Sequence, residues 1–343
     1  MPSGNANIYR QLNGKRLLTG MVLLILMLVL IVVDLGIGSS GISLDEVIEA
    51  LFAGPDGDTA NTAILWSIRL PMTLTCVFVG GSLSLAGLQI QTITNNALAS
   101  PYTLGITASA SFGAAIAITL GLSIAGYLWI GTALLALIFA LVVSLLIFYL
   151  GRLKGMSTST LILSGIIMNF FFQALQQYLQ YRASPEIAQV ISGWTFGNLQ
   201  RSSWMSVAVS GCLLVAGAAL LSGWSWRLTV LTTGEERAQS LGINVERLRL
   251  HVFLICSFLI AGAVGFIGTV AFVGLVAPHC AKLMLGEDQR YLLPNATILG
   301  SLMLLASSIV SKLLSGGSML PVGIITSIVG VPFLFVLLMK NGR

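Results

Sequence analysis

Residues 17–36 read LLTGMVLLILMLVLIVVDLG, a run whose one charged side chain, Asp34, lies near its end. A helix rises about 1.5 Å per residue, so about 20 apolar residues cover the ~30 Å hydrocarbon layer of a bilayer. Arg10, Lys15 and Arg16 precede the run. It is longer than the apolar stretch of a signal peptide and no small-residue cleavage site closes it, so it reads as a first membrane span that stays. Outward from it, similar stretches recur at 70–92, 104–125, 127–150, 158–180, 204–224, 250–269, 270–286, 296–314 and 321–339. The chain is therefore expected to be an all-α integral membrane protein of about ten transmembrane helices, one domain over residues 1–343. Composition agrees: 56% of residues are hydrophobic and 8% charged, against roughly 25% charged in soluble domains. The 37 glycines suit close helix approach in lipid.

Charge sets the expected orientation. With a cytoplasmic N-terminus and ten spans, the inner segments hold Arg10, Lys15, Arg16, Arg152, Lys154, Arg227, Arg237, Arg247, Arg249, Lys282, Arg290, Lys340 and Arg343. Only Arg69, Arg182, Arg201 and Lys312 remain outside. This is the positive-inside bias, with both termini cytoplasmic, and it accounts for the net charge of +5 without nucleic acid. Cys76, Cys212, Cys256 and Cys280 lie in apolar stretches without a C-x-x-C, and read as buried small hydrophobes.

Three segments do not span. In 43–52, Ser43 and Glu46 form an S-x-x-E capping box, and Leu44, Val47, Ile48 and Leu51 line one face, which predicts a short helix on the outer surface. The outer loop 182–203 carries Trp194 and Trp204, read as interfacial anchors. The inner loop 229–249 is the one sizeable cytoplasmic segment. Thr233 and Glu236 predict a second capping box, Gly242 a C-terminal stop and Asn244 a further N-cap, so the loop reads as a folded helix-turn-helix that binds a partner.

Several chemistries are missing from the sequence. No G-x-x-x-x-G-K-[ST] is present, so the chain has no phosphate-cradling loop of that kind. His251 and His279 have no second ligand at metal spacing, and no Ser, His and Asp set suggests hydrolysis. Asp34 is read as lying near the interface, which leaves no mid-membrane acid of the kind that proton- or ion-coupled carriers use. One span is polar on a stripe: Asn169, Gln173, Gln176, Gln177 and Gln180 recur at three- and four-residue spacings. Such amides either hydrogen-bond between helices or wall a wet cavity, and five on one span favour the wall.

Five segments in register carry a family resemblance: IRLP (68–71); NNALASP (95–101) with Leu104 and Gly105; GEERAQSLG (234–242); GFIGTVAFVGLVAPH (265–279) with DQR (288–290) and LLP (292–294); and LPVG (320–323) with GVPF (330–333). Over nearly the whole chain the sequence resembles the FecCD-type permeases, the membrane subunits of type II ABC importers for iron-siderophores, heme and cobalamin. That resemblance implies a transport subunit of the cell inner (cytoplasmic) membrane with no enzymatic chemistry or directly bound cofactor. Its partners would be two cytoplasmic ABC ATPases that use the ATP, a substrate-binding protein outside, and a second permease copy, identical or paralogous.

Residue by residue, the resemblance makes Gly234, Glu235, Glu236, Arg237, Ala238, Leu241 and Gly242 the ATPase-coupling element. It makes Leu98 and Thr158 the cytoplasmic gate, and Asn169, Gln173, Gln176 and Gln177 the pathway lining. Arg69 and Lys312 match positions that receive carboxylates of the binding protein, although Arg69 also fits snorkelling to lipid headgroups. Two positions depart from the family: Ala97 stands in place of its usual proline, and Met72 in place of a basic residue. Ser100 and Pro101 are expected to start the third span. Iron-siderophore is the expected substrate, with heme or cobalamin as alternatives. The rivals of another class are a stand-alone secondary transporter or a membrane scaffold.

Overall fold

The computed structural model describes residues 3–38, 41–124, 126–155, 157–315 and 319–341. Of the residues used above for orientation, Arg343 and the side chains of Arg10 and Lys340 lie outside the described part, as do the Leu44 side chain and residue 125. The chain is almost wholly helical: α1 (Ser3–Gly36), α2 (Leu44–Ala53), α3 (Ala60–Ile64), α4 (Leu70–Thr94), α5 (Ile106–Thr119), α6 (Leu128–Leu153), α7 (Thr158–Arg182), α8 (Pro185–Thr195), α9 (Trp204–Gly223), α10 (Ser225–Leu231), α11 (Glu235–Ser240), α12 (Val245–Ile267), α13 (Val273–Leu285), α14 (Gln289–Leu314) and α15 (Val322–Asn341). Among the described residues seven helices are long and apolar enough to cross a membrane, and three shorter apolar ones, in α5, α13 and α15, fill the remaining expected places.

The second span differs from its expected start. Thr59 caps α3, and the helix runs without a break from Ala60 to Thr94 through a π-turn at Leu65–Arg69. The physical reason is Pro71. In the π-turn the Leu70 amide bonds the Leu65 carbonyl, so the Trp66 carbonyl would next meet residue 71, whose ring nitrogen has no hydrogen. The indole of Trp204 donates to that carbonyl instead, at 2.9 Å, and the widened turn continues the helix where IRLP read as a beginning.

α4 is the central post. It packs on α14, α12, α13 and α9, and almost every residue along it is buried. Small residues permit this contact. A Cβ on Gly87 would lie 1.8 Å from the Gly274 carbonyl oxygen, and one on Gly80 2.4 Å from that of Gly300. Buried polar groups cross-link the same helices: Gln89 donates to Gln289 at 3.1 Å, and Gln289 donates to Thr92 at 3.1 Å. α1 lies at the periphery, with 11% of its apolar window buried. Polar contacts hold it to α14 at both ends, Arg16 to Asp288 at 3.6 Å and Lys312 to Asp34 at 2.8 Å.

The cap expectations meet mixed outcomes. Ser43 and Glu46 form the capping box of α2, and Asn244 caps α12 by accepting from the Arg247 amide at 2.9 Å. Thr233 does not cap α11: its hydroxyl turns back to the Val230 carbonyl, and Gly234 at φ 122° takes the N-cap place. Ser100 and Pro101 open an isolated turn, with Ser100 capping Thr103, and the third span starts only at Ile106. The break falls at Gly105, φ 71°, where any Cβ would lie 2.5 Å from the Asn169 amide of α7. Trp194 is not an interfacial anchor: α8, capped by Ser184 with Pro185 in its first turn, buries it. Cys212 is exposed on α9 and Cys280 half-buried, unlike buried Cys76 and Cys256.

Candidate functional site: an uncharged cavity and the segments that flank it

One face of α7 borders a half-open cavity of about 520 Å³. Gln173, Gln176, Gln177 and Gln180 line it together with Tyr102, Thr107, Ser111, Thr195 and Ser327, and among the described residues no carboxylate, lysine or arginine is in the wall. The amides serve both roles that the sequence left open. Gln176 donates to the Thr195 hydroxyl at 2.8 Å and Gln180 to Ser192 at 3.4 Å, which fastens α8 to α7. Gln173 reaches Tyr102 at 3.4 Å and Asn169 at 3.3 Å. Asn169 itself stands behind Gln173, outside the wall. The Ser111 hydroxyl is buried in the wall without a hydrogen-bond partner among the described residues.

Irregular backbone closes the cavity on the side away from α7, and non-helical backbone at such depth is tolerated where it lines a wet space. The links 194–198, 268–272 and 321–323 meet there. The Asn198 amide bonds the Ile267 carbonyl at 2.7 Å, Val322 bonds Gly197 at 2.9 Å, and Gly323 bonds Phe196 at 3.1 Å. The Thr269 hydroxyl donates to the Thr195 carbonyl. Phe272, at φ 67°, is held in the left-handed region with its ring over Gly330, where a Cβ would lie 2.3 Å from the Phe272 Cγ. Sequence reading found the glutamine stripe through its spacing. It missed Tyr102, Ser111, Thr195, Thr269 and Ser327, because they come from five separate segments and share no local pattern.

The turn after α4 starts at Asn95, φ 46°, and exposes Leu98, whose amide bonds the Asn96 side chain at 2.8 Å. Thr158 opens α7, half-buried, under a Ser157 cap.

Residues 234–243, around the segment expected to couple to an ATPase, form a small folded unit. α11 ends in a Schellman arrangement: the Gly242 amide bonds Gln239 and the Ile243 amide bonds Ala238, with Gly242 at φ 80°. Ala238 and Ile243 are buried and anchor it. Glu235, Glu236, Arg237 and Leu241 face outward, Leu241 being 58% exposed.

Arg69 and Lys312 occupy a different place from the one expected. Both are buried, at 5% and 8% exposure. Arg69 donates to the carbonyls of Leu35 and Gly36, the latter at 3.3 Å. Lys312 pairs with the Asp34 carboxylate and donates to the Asp34 carbonyl, each at 2.8 Å. Thr73 and Ser308 complete the carboxylate shell at 2.6 and 2.7 Å. The two cations thus satisfy the C-terminal carbonyls of α1 and do not present themselves to a docking protein or to headgroups. Asp34, two residues before the end of α1, is likewise fully buried. Among the described residues no group of histidine, cysteine, aspartate and glutamate side chains is arranged to hold a metal ion.

Residues 25–340 match the FecCD transport family. The Fe(3+)-citrate import system permease protein YfmD of Bacillus subtilis is 30% identical over 96% of this chain and 97% of its own. The molybdate import system permease protein MolB of Haemophilus influenzae is 30% identical over 94% of this chain and 95% of its own. A solved inward-facing structure of a metal-chelate type ABC transporter superposes with a TM-score of 0.82 at 29% identity, covering 94% of this chain and 98% of that one. The match spans all ten apolar helices and both flanks of the cavity, and the chain belongs to the FecCD transport family, the membrane permeases of ATP-binding-cassette importers.

Proposed function

We propose that this permease moves an iron-siderophore complex inward across the cytoplasmic membrane. The uncharged cavity wall carries the reading. A bare multivalent cation is held best by a cluster that includes carboxylates, and a small oxyanion by arginine or lysine. A chelate hides the metal charge within its own ligand shell and presents carbonyl, hydroxyl and apolar edges. Glutamine amides, hydroxyls and a tyrosine complement those edges without binding them tightly. A volume of about 520 Å³ in one chain falls in the range of drug-sized ligand pockets, and a second permease copy facing the open side enlarges it. The wall favours the chelate reading over the oxyanion that the MolB relative is named for.

Two ATPase subunits dock on α11 and use the ATP, the gate turn at Leu98 and Thr158 lies at the cytoplasmic end, and a substrate-binding protein delivers cargo at the opposite end. Both termini are cytoplasmic. The test is accumulation in proteoliposomes containing the permease and its ATPase, supplied with the substrate-binding protein, with ferric hydroxamate, hemin, cyanocobalamin and molybdate as probes. ATP-dependent accumulation of the ferric hydroxamate, lost when Gln173 and Gln176 are both replaced by Leu, is the expected result. Preference for hemin or cyanocobalamin moves the substrate within the family. Accumulation of molybdate alone, or uptake without the ATPase, overturns the reading.

A further inference from the structure

The guanidinium of Arg249, in the first turns of α12, is 4% exposed. Its Nε donates to the Ile93 carbonyl at 2.9 Å, while Nη1 and Nη2 hold the Glu235 carboxylate at 3.3 and 3.0 Å. Ile93 is in the last turn of α4. Asn95, in the left-handed conformation, ends that helix, so its final carbonyls lack following amides and attract a cation. Two residues beyond Ile93 begins the turn that displays Leu98. Glu235 is the first residue of α11, and its side chain is half-exposed on the segment assigned to ATPase docking. One rigid planar fork therefore touches the coupling helix with one edge and the root of the gate turn with another.

We propose that Arg249 is the positioning residue through which α11 moves the turn at residues 95–99, an inference that rests on α11 being the ATPase-docking element. Displacement of α11 carries Glu235; the bidentate pair resists both shear and rotation; and the same guanidinium carries the Ile93 carbonyl. Arginine suits the task because its five donors are fixed in one plane, whereas a lysine ammonium is a point charge that cannot hold both partners in this geometry. α4 and α12 also pack along their lengths, but apolar packing slides more readily than a bidentate ion pair.

The experiment places a cysteine at position 98 (Leu98→Cys) in a background with Cys212→Ala and Cys280→Ala. Its labelling rate is measured in the assembled permease–ATPase complex, nucleotide-free and trapped with ATP and orthovanadate. The parent is expected to show a nucleotide-dependent change in labelling. Arg249→Met, and to a lesser degree Arg249→Lys, retain the ATPase and hydrolyse ATP, yet lose that change by at least about fivefold, the low end of typical coupling between sites. A merely structural arginine would lower complex yield and leave the response of the surviving complexes intact. Glu235→Gln alters a solvent-reached side chain and carries the test if Arg249→Met fails to accumulate in the membrane; a partial loss is expected. Leu241→Asp examines docking alone. If it loses the ATPase while the Arg249 and Glu235 variants respond like the parent, the relay is overturned and docking stands. If it keeps the ATPase, the docking assignment falls and takes the relay with it.

Discussion

Replacing Lys312 by Met removes a cation from a site where Asp34 is fully buried. The Nζ to Oδ1 separation is 2.8 Å, which at an effective dielectric near 20 corresponds to a gross attraction of about 6 kcal/mol. Desolvation of both ions offsets most of that, so the pair itself adds little net stability. The single replacement is different, since it strands a buried carboxylate with only the Thr73 and Ser308 hydroxyls, and breaking one side of a buried pair costs about 3–5 kcal/mol. The Lys312 ammonium also releases the Asp34 carbonyl. For a chain of this size the loss corresponds to a fall in Tm on the order of 4–7 °C. Asp34→Asn combined with Lys312→Met removes the stranded charge and is expected to recover more than half of the loss. The assay is thermal unfolding of the detergent-purified permease, single variants against the double. If Lys312→Met melts with the parent while association of a substrate-binding protein slows, Lys312 is a docking residue after all and the buried pair is wrong.

Gly87→Ala is expected to abolish stable accumulation in the membrane, because the new Cβ would overlap the Gly274 carbonyl of α13, backbone that cannot swing aside; blotting of membrane fractions checks it. A cysteine at exposed position 56 (Asp56→Cys) should react with an impermeant maleimide in intact cells, and one at position 239 (Gln239→Cys) only after permeabilisation; the reverse reverses the orientation. Glu46 is held below the usual glutamate range, first by the Ser43 amide and then by the Ser43 hydroxyl. Its folded-state pKa is depressed, so its contribution to capping α2 is complete above the ordinary glutamate pKa and is lost as pH falls through the lower folded value. The protection of the Val47 amide, its exchange rate relative to the intrinsic rate at each pH, should therefore fall only below the ordinary glutamate range.

The spans were legible because a bilayer demands long apolar runs whatever the fold, and the Ser43–Glu46 and Asn244 caps because capping is a contact between near neighbours in sequence. Where the signal failed, a competing local acceptor or a distant partner decided. The Thr233 hydroxyl had a local carbonyl to bond, which left Gly234 to start α11. Pro71 read as the start of a span because nothing near it announces that the indole of Trp204 will satisfy the Trp66 carbonyl. Arg69 and Lys312 looked available because their acceptors belong to α1, remote along the chain. The amide stripe of α7 was legible as a wall, but the opposite side of the cavity is built from links between helices, whose positions only the packing determines.

The Asp34–Lys312 pair also bears on how the chain is made. The two residues are 278 positions apart, and at about 5–20 residues per second the ribosome needs roughly 15–55 s to go from one to the other. For that interval α1 is already in the membrane with a carboxylate whose cation has yet to be synthesised. The end of α1 must keep water or a temporary partner at Asp34 until α14 arrives, so the outermost helix of the bundle is the first to be inserted and among the last to be locked. A chain truncated before α14 is left with that acid unneutralised in its first helix, a local mark of incompleteness that membrane quality-control proteases are well suited to read.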